Sequence, residues 1–279
     1  MKTLPTFAML VMAAFVSSCQ KDNQTSSPAP KLSAADAPLN TLATTSATST
    51  ICHDVNLGMI AFYPFHGNAH DESGHGHDGF VYSYDSDGVY PGAVPAVLTT
   101  NKYGKANEAY LFNGTTDEIL TTVFDPNKVV TQFSLYARYK STETVQGVLV
   151  ASGDGLSGWA FALTVDSPND FGFGWVYTDD SFQRQVNEGV GGSQIALGKN
   201  CWVDVVVNYS NKVLTLYVNG KLVGTRVTNM ALPPHFAKDL TIASSTFRYP
   251  TGFFNSAIDE VRVYNRPLTT DEISYLLGH

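Results

Sequence analysis

Short apolar or alternating runs recur from Met59 to the end of the chain, separated by turn signals. MIAFYPF (59–65), EAYLFNG (108–114), QFSLYARYK (132–140) and GVLVASG (147–153) come first. GWAFALTVD (158–166), DFGFGWVYT (170–178), CWVDVVVNYS (201–210), KVLTLYVNGKLVGTRV (212–227), DLTIAS (239–244) and SAIDEVRVYNR (256–266) follow. The period is two, the period of a strand with one buried face. It is clearest at 212–227, where Asn219-Gly220 supplies the positive φ of a tight hairpin. A helical start appears only in TTDEISYLL (269–277), with Thr269 three residues before Glu272 as in a capping box. The pattern predicts about ten to fourteen strands and one short terminal helix, an all-β, two-sheet antiparallel sandwich. No Pro- or Ser-rich break interrupts 59–279, so one domain over 55–279 is expected.

The first 54 residues have a different texture. Lys2 followed by an apolar stretch to Val16 reads as a signal segment over 1–18, too short for a membrane-spanning helix. VSSC (16–19) resembles a bacterial lipobox, which makes Cys19 the acylated first residue after cleavage. Residues 19–54 are rich in Ser, Thr, Ala and Pro and hold too little apolar surface to offset chain entropy, so a flexible tether is expected. The net charge of -8 and the absence of any Lys/Arg cluster exclude an electrostatic footprint for nucleic acid. Membrane contact is expected through the lipid alone. Cys52 and Cys201 are the other two cysteines, and export makes a disulfide between them an open expectation beside two buried thiols.

Four stretches together resemble a known family. GMIAFYPFHGNAHDESGHGHDG (58–79), NKYGKANEAYLFNG (101–114), CWVDVVVNYSNKVLTLYVNGKLVG (201–224) and SAIDEVRVYNRPLTTDEI (256–273) are similar to laminin-G-like domains of the concanavalin A-like lectin/glucanase superfamily. The resemblance spans roughly residues 55–277 and implies a jelly roll. It implies little about function, because this fold carries lectins, glycosidases and adhesion modules alike. His70, His75 and His77 stand at or near positions where the family often has Asn, which implies turn residues rather than ligands. The resemblance also places the first loop near the last strand. Asp71, a Gly76 carbonyl and Asp259 could then form an oxygen cage for a structural Ca²⁺. The competing reading is that Asp71 caps its own turn and Asp259 bonds backbone donors.

Other chemistry is weighed against the same residues. H-x4-H-x-H at His70, His75 and His77 matches no familiar zinc spacing. The E-x-D-x-x-E string of the glucanase branch is absent. The adjacent acids Asp117/Glu118 and Asp259/Glu260 are expected on opposite faces of strands, which does not suit paired-carboxylate hydrolysis. There is no G-x-S-x-G elbow. SGDGLSGW (152–159) partly matches a sialidase Asp-box and is read as strand end, turn and strand start. Trp202 matches a family core tryptophan and is assigned to packing. Trp175, Tyr177 and Arg184, with Tyr249 in a second loop, are candidate sugar contacts, with core packing as the competing reading.

The expectation is a lipid-anchored, non-catalytic module of the bacterial cell envelope, at the outer membrane or cell surface. It would bind a glycan; the alternative is a cell-surface protein, and a divergent glycoside hydrolase is the third reading.

Overall fold

A computed structural model describes residues 54–83, 95–124, 131–153, 159–167, 170–178, 185–193, 197–228, 239–245 and 252–279. In chain order its elements begin with β1 (Met59–Tyr63), β2 (Phe80–Ser83), β3 (Val97–Thr99), β4 (Ala109–Leu111) and β5 (Asp117–Thr122). Next are β6 (Phe133–Lys140), β7 (Gly147–Gly153), β8 (Trp159–Ser167), β9 (Asp170–Thr178) and β10 (Gln185–Ser193). The last are β11 (Trp202–Ser210), β12 (Val213–Val218), β13 (Lys221–Val227), β14 (Asp239–Ile242), β15 (Ala257–Tyr264) and α1 (Thr270–Gly278).

The strands form two antiparallel sheets, as the alternation requires. Sheet A runs β13-β12-β11-β6-β15-β4-β3, with β1 also paired to β15, and sheet B runs β10-β9-β8-β7-β14-β5-β2. All described residues belong to the compact unit Ile51–His279. The expected signal segment, residues 19–53 of the expected tether, Cys19 and Cys52 lie outside the described residues.

Alternation decides which side chains meet between the sheets. On β6, Phe133, Leu135, Ala137 and Tyr139 enter the main core, as do Val203, Val205, Val207 and Tyr209 of β11. Sheet B contributes Phe161, Leu163, Phe171 and Phe173. Phe161 stacks on Phe133 at 5.9 Å between ring centroids and meets Phe173 at 5.6 Å. Each such ring removes a large apolar area from water, worth roughly 1.5–3 kcal/mol.

The outer face of sheet A is also covered. Tyr136, Val206 and Tyr264 pack with Leu268, Ile273 and Leu276 in a second cluster beneath α1. That explains why β6 is buried on both faces. The capping box is present: Thr269 Oγ1 accepts from the Glu272 N–H, and the Glu272 carboxylate accepts from the Thr269 N–H. The β12–β13 turn has φ of 48° at Asn219 and 76° at Gly220, the primed-turn geometry expected from Asn-Gly.

Trp202 departs from its assignment to packing. It opens β11 half-buried and outside the inter-sheet core, because it shares strand parity with Asp204 on the outer face. β7 ends at Gly153 and β8 begins at Trp159, so the Asp-box-like string spans two strand ends.

Candidate functional site

The outer face of sheet B carries a trough of about 350 Å³ across β8, β9 and β10. Its floor follows from strand register. Ala162 pairs with Gly174, which pairs with Gly189; Thr164 pairs with Gly172, which pairs with Gly191. The intervening Leu163, Phe171, Phe173 and Val190 turn inward to the core. Glycines at alternate positions of β9 and β10 therefore leave this face of two adjacent strands without side chains, bordered on β8 by Ala162 and Thr164. A Cβ on Gly189 would lie 2.6 Å from the Phe173 carbonyl oxygen, so glycine is required there by close backbone approach.

The walls are polar at one end. A Cβ on Gly172 would lie 3.1 Å from Thr164 Oγ1 and 3.5 Å from Asp166 Oδ2, so both side chains lean over the floor. A register shift between Val165 and Ser167 sets Asp166 beside the β8–β9 connection, and Asp170 starts the next strand. Asp166 and Asp170 are the charged residues lining the trough among those described. The arrangement offers a flat backbone surface with hydroxyl and carboxylate acceptors at one rim, which suits shallow recognition of a polar ring.

The first loop is organised by Asp71. Its Oδ1 accepts from the N–H groups of Phe62 and Ser73, both at 2.9 Å. Its Oδ2 accepts from Ser73 Oγ and the His77 N–H, again at 2.9 Å. Burial pushes this carboxyl up, but the donors of His77, Ser73 and Phe62 outweigh it and hold it below the ordinary value. The histidines have separate neighbours. His66 Nδ1 lies 3.0 Å from Glu72, His70 Nδ1 lies 3.8 Å from Asp78, and His75 Nδ1 lies 3.1 Å from Ser73 Oγ. None of them takes positive φ; Gly67, Gly74 and Gly76 do, which corrects the expectation that the histidines serve as left-handed turn residues.

Asp259 belongs to another network, centred on Arg138, which is 1% exposed. Arg138 Nε donates to Asp204 at 2.7 Å, and Nη1 reaches Asp259 at 3.5 Å and Glu260 at 3.4 Å. Nη2 donates to the carbonyls of Leu276 and His279 at the end of α1, both at 2.9 Å. Burial pushes the Asp259 carboxyl up to about 6, against the opposing pull of Arg138. The expectation that Asp259 and Glu260 face opposite sides is corrected: a register shift between Ile258 and Glu260 turns both toward Arg138. Asp117 and Glu118 do divide, Asp117 accepting from the Asn113 N–H and Glu118 from the Ser244 hydroxyl.

The expected calcium cage of Asp71, Gly76 and Asp259 does not fit this donor set. Asp71 already accepts four protein donors, and Asp259 answers Arg138. Among the described residues no group of three or more His, Cys, Asp or Glu is placed to hold a metal. The turn-capping reading of Asp71 fits instead.

Trp175 and Tyr177 lie on β9, their backbones paired with Glu188 and Val186 of β10, next to the trough floor. Arg184 and Tyr249 lie outside the described residues. Cys201 precedes β11, its carbonyl accepting from the Ser141 N–H; its expected partner Cys52 is outside the described residues. Sequence reasoning misses the trough. Its signal is the alternate glycines of FGFG (171–174) and GVGG (189–192), which mark one bare strand face.

No curated protein sequence matches the chain. Solved structures share its fold at low identity. The binding domain of botulinum neurotoxin DC in complex with SialylT has a TM-score of 0.58 at 15% identity, covering 80% of this chain and 52% of that one. The same domain in complex with rat synaptotagmin II gives 0.58 at 16%, covering 80% and 52%. A botulinum neurotoxin type C structure, described by cell entry dependent on two ganglioside molecules, gives 0.59 at 17%, covering 80% and 51%. The chain thus spans about half the length of these structures. A laminin-G family model matches residues 113–274, more than half of the chain. With two antiparallel sheets in the jelly-roll arrangement, the chain belongs to the concanavalin A-like lectin/glucanases superfamily.

Proposed function

We propose that this chain is a non-catalytic binding module that holds a carbohydrate in the trough of sheet B. The observation that carries the reading is the glycine floor of β9 and β10, walled by Thr164, Asp166 and Asp170. A sugar ring can lie close to such a backbone while its hydroxyls donate to the carboxylates. Similarity to domains described with SialylT and with gangliosides supports the glycan class. Trp175, Tyr177, Arg184 and Tyr249 are proposed as flanking contacts. The burial of Asp259 and Glu260 around Arg138 takes that adjacent acid pair out of reach of a substrate, and similarity to binding domains supports the non-catalytic part.

Gly172→Val tests the site. Its φ is ordinary for a side chain and the nearest atoms are movable side-chain ends, so the fold should tolerate it. On a glycan array, wild type should bind and the variant should lose at least tenfold in affinity at unchanged melting temperature. Equal binding by both would remove the trough from the reading. An empty array beside a captured protein partner would favour a protein-interaction module, as the structure with synaptotagmin II suggests.

A further inference from the structure

The rim of the trough discriminates by charge. We infer that its ligand is an uncharged saccharide, and that sialylated or sulfated glycans are rejected; this rests on the trough reading above. The carboxylate of Asp166 leans over Gly172, within 3.5 Å of the place a Cβ would occupy. Asp170 joins it at the same end, and the other lining residues are Gly, Ala, Thr, Phe and Val. Carboxylates accept hydrogen bonds from sugar hydroxyls but repel a sugar carboxylate or sulfate brought to the same distance. The glycine floor brings no cationic side chain, and Arg184, the one cation among the proposed flanking contacts, sets a single positive charge against two carboxylates. The net charge of -8 adds to it at long range. The similar toxin domains support only the glycan class; the charge of the ligand follows from this rim.

The test uses a neutral oligosaccharide that binds on the array and its sialylated or sulfated derivative, titrated calorimetrically against the whole chain. Wild type should favour the neutral form at least tenfold in low salt, and the ratio should shrink as salt rises. The double variant Asp166→Asn, Asp170→Asn keeps an acceptor oxygen at each position. It should raise the anionic-to-neutral affinity ratio at least tenfold over wild type, whatever loss the neutral sugar itself shows. Preference of wild type for the anionic sugar, or an unchanged ratio in the double variant, would overturn the charge inference and leave the trough reading standing. Neutral-sugar binding that survives Gly172→Val would overturn both.

Discussion

Asp71 shows how one side chain settles a loop. Four donors converge on its two oxygens, tying the loop to the end of β1 at Phe62 and back to His77. Tyr63 and Thr121 then both donate to the His77 carbonyl at 2.7 Å, fixing the loop against sheet B. Asp71→Ala should therefore cost about 1–3 kcal/mol by chemical denaturation, through unsatisfied N–H groups. EDTA should leave the wild-type melting temperature unchanged. A drop restored by Ca²⁺ would return the oxygen cage to consideration. Asp71 is legible from the sequence as the decisive residue of its loop, but its partners are not. Both readings use the same carboxylate, and only the positions of Phe62, Ser73 and His77 separate them.

Among the elements, α1 is held at both ends. Its N-terminus uses the Thr269–Glu272 box, with Arg266 paired to Glu272 at 2.6 Å. Its C-terminus lies on two cations, Arg138 and Lys102, the latter donating to the Leu277 carbonyl at 2.6 Å. Cations at a helix C-terminus are favoured by the macrodipole. The first end is readable because the box is local; the second needs β6 and α1 brought together from 138 positions apart. Arg138→Met should cost about 3–5 kcal/mol at pH 7.5, since it leaves Asp204 and Asp259 buried without their cation, while Glu260 keeps Arg262. The sign with pH follows. Asp259 titrates higher folded than unfolded, so the folded state gains protons first and stability rises as pH falls through about 6. Removing Arg138 raises that carboxyl further, so the deficit should be smaller at pH 5 than at 7.5 in urea titrations. An equal deficit at both would show that lost packing, not stranded charge, is the cause.

Across the whole molecule, the two sheets have different tasks. Sheet A is covered by α1 and carries the charge network, while sheet B leaves a glycine-lined face on β9 and β10. We propose that the chain is tethered to the bacterial envelope through acylated Cys19, with residues 20–53 setting its reach. Metabolic labelling with a fatty-acid probe should mark wild type and not Cys19→Ala. Label retained in the variant would refute the anchor.

The fold class, the Asn219-Gly220 hairpin and the start of the terminal helix are written in the order of residues alone. Each depends on period-two alternation or on contacts within a few residues. That order does not disclose β10, because QVNEGVGGS has too little apolar alternation to stand out as a strand. Folding aligns Gly172 and Gly174 with Gly191 and Gly189, turning two separate glycine pairs into one trough. The register shift in β15 likewise brings Asp259 and Glu260 to a shared arginine. Local backbone preference is encoded by neighbouring residues, whereas register and long-range pairing arise when distant strands compete to bury their apolar faces.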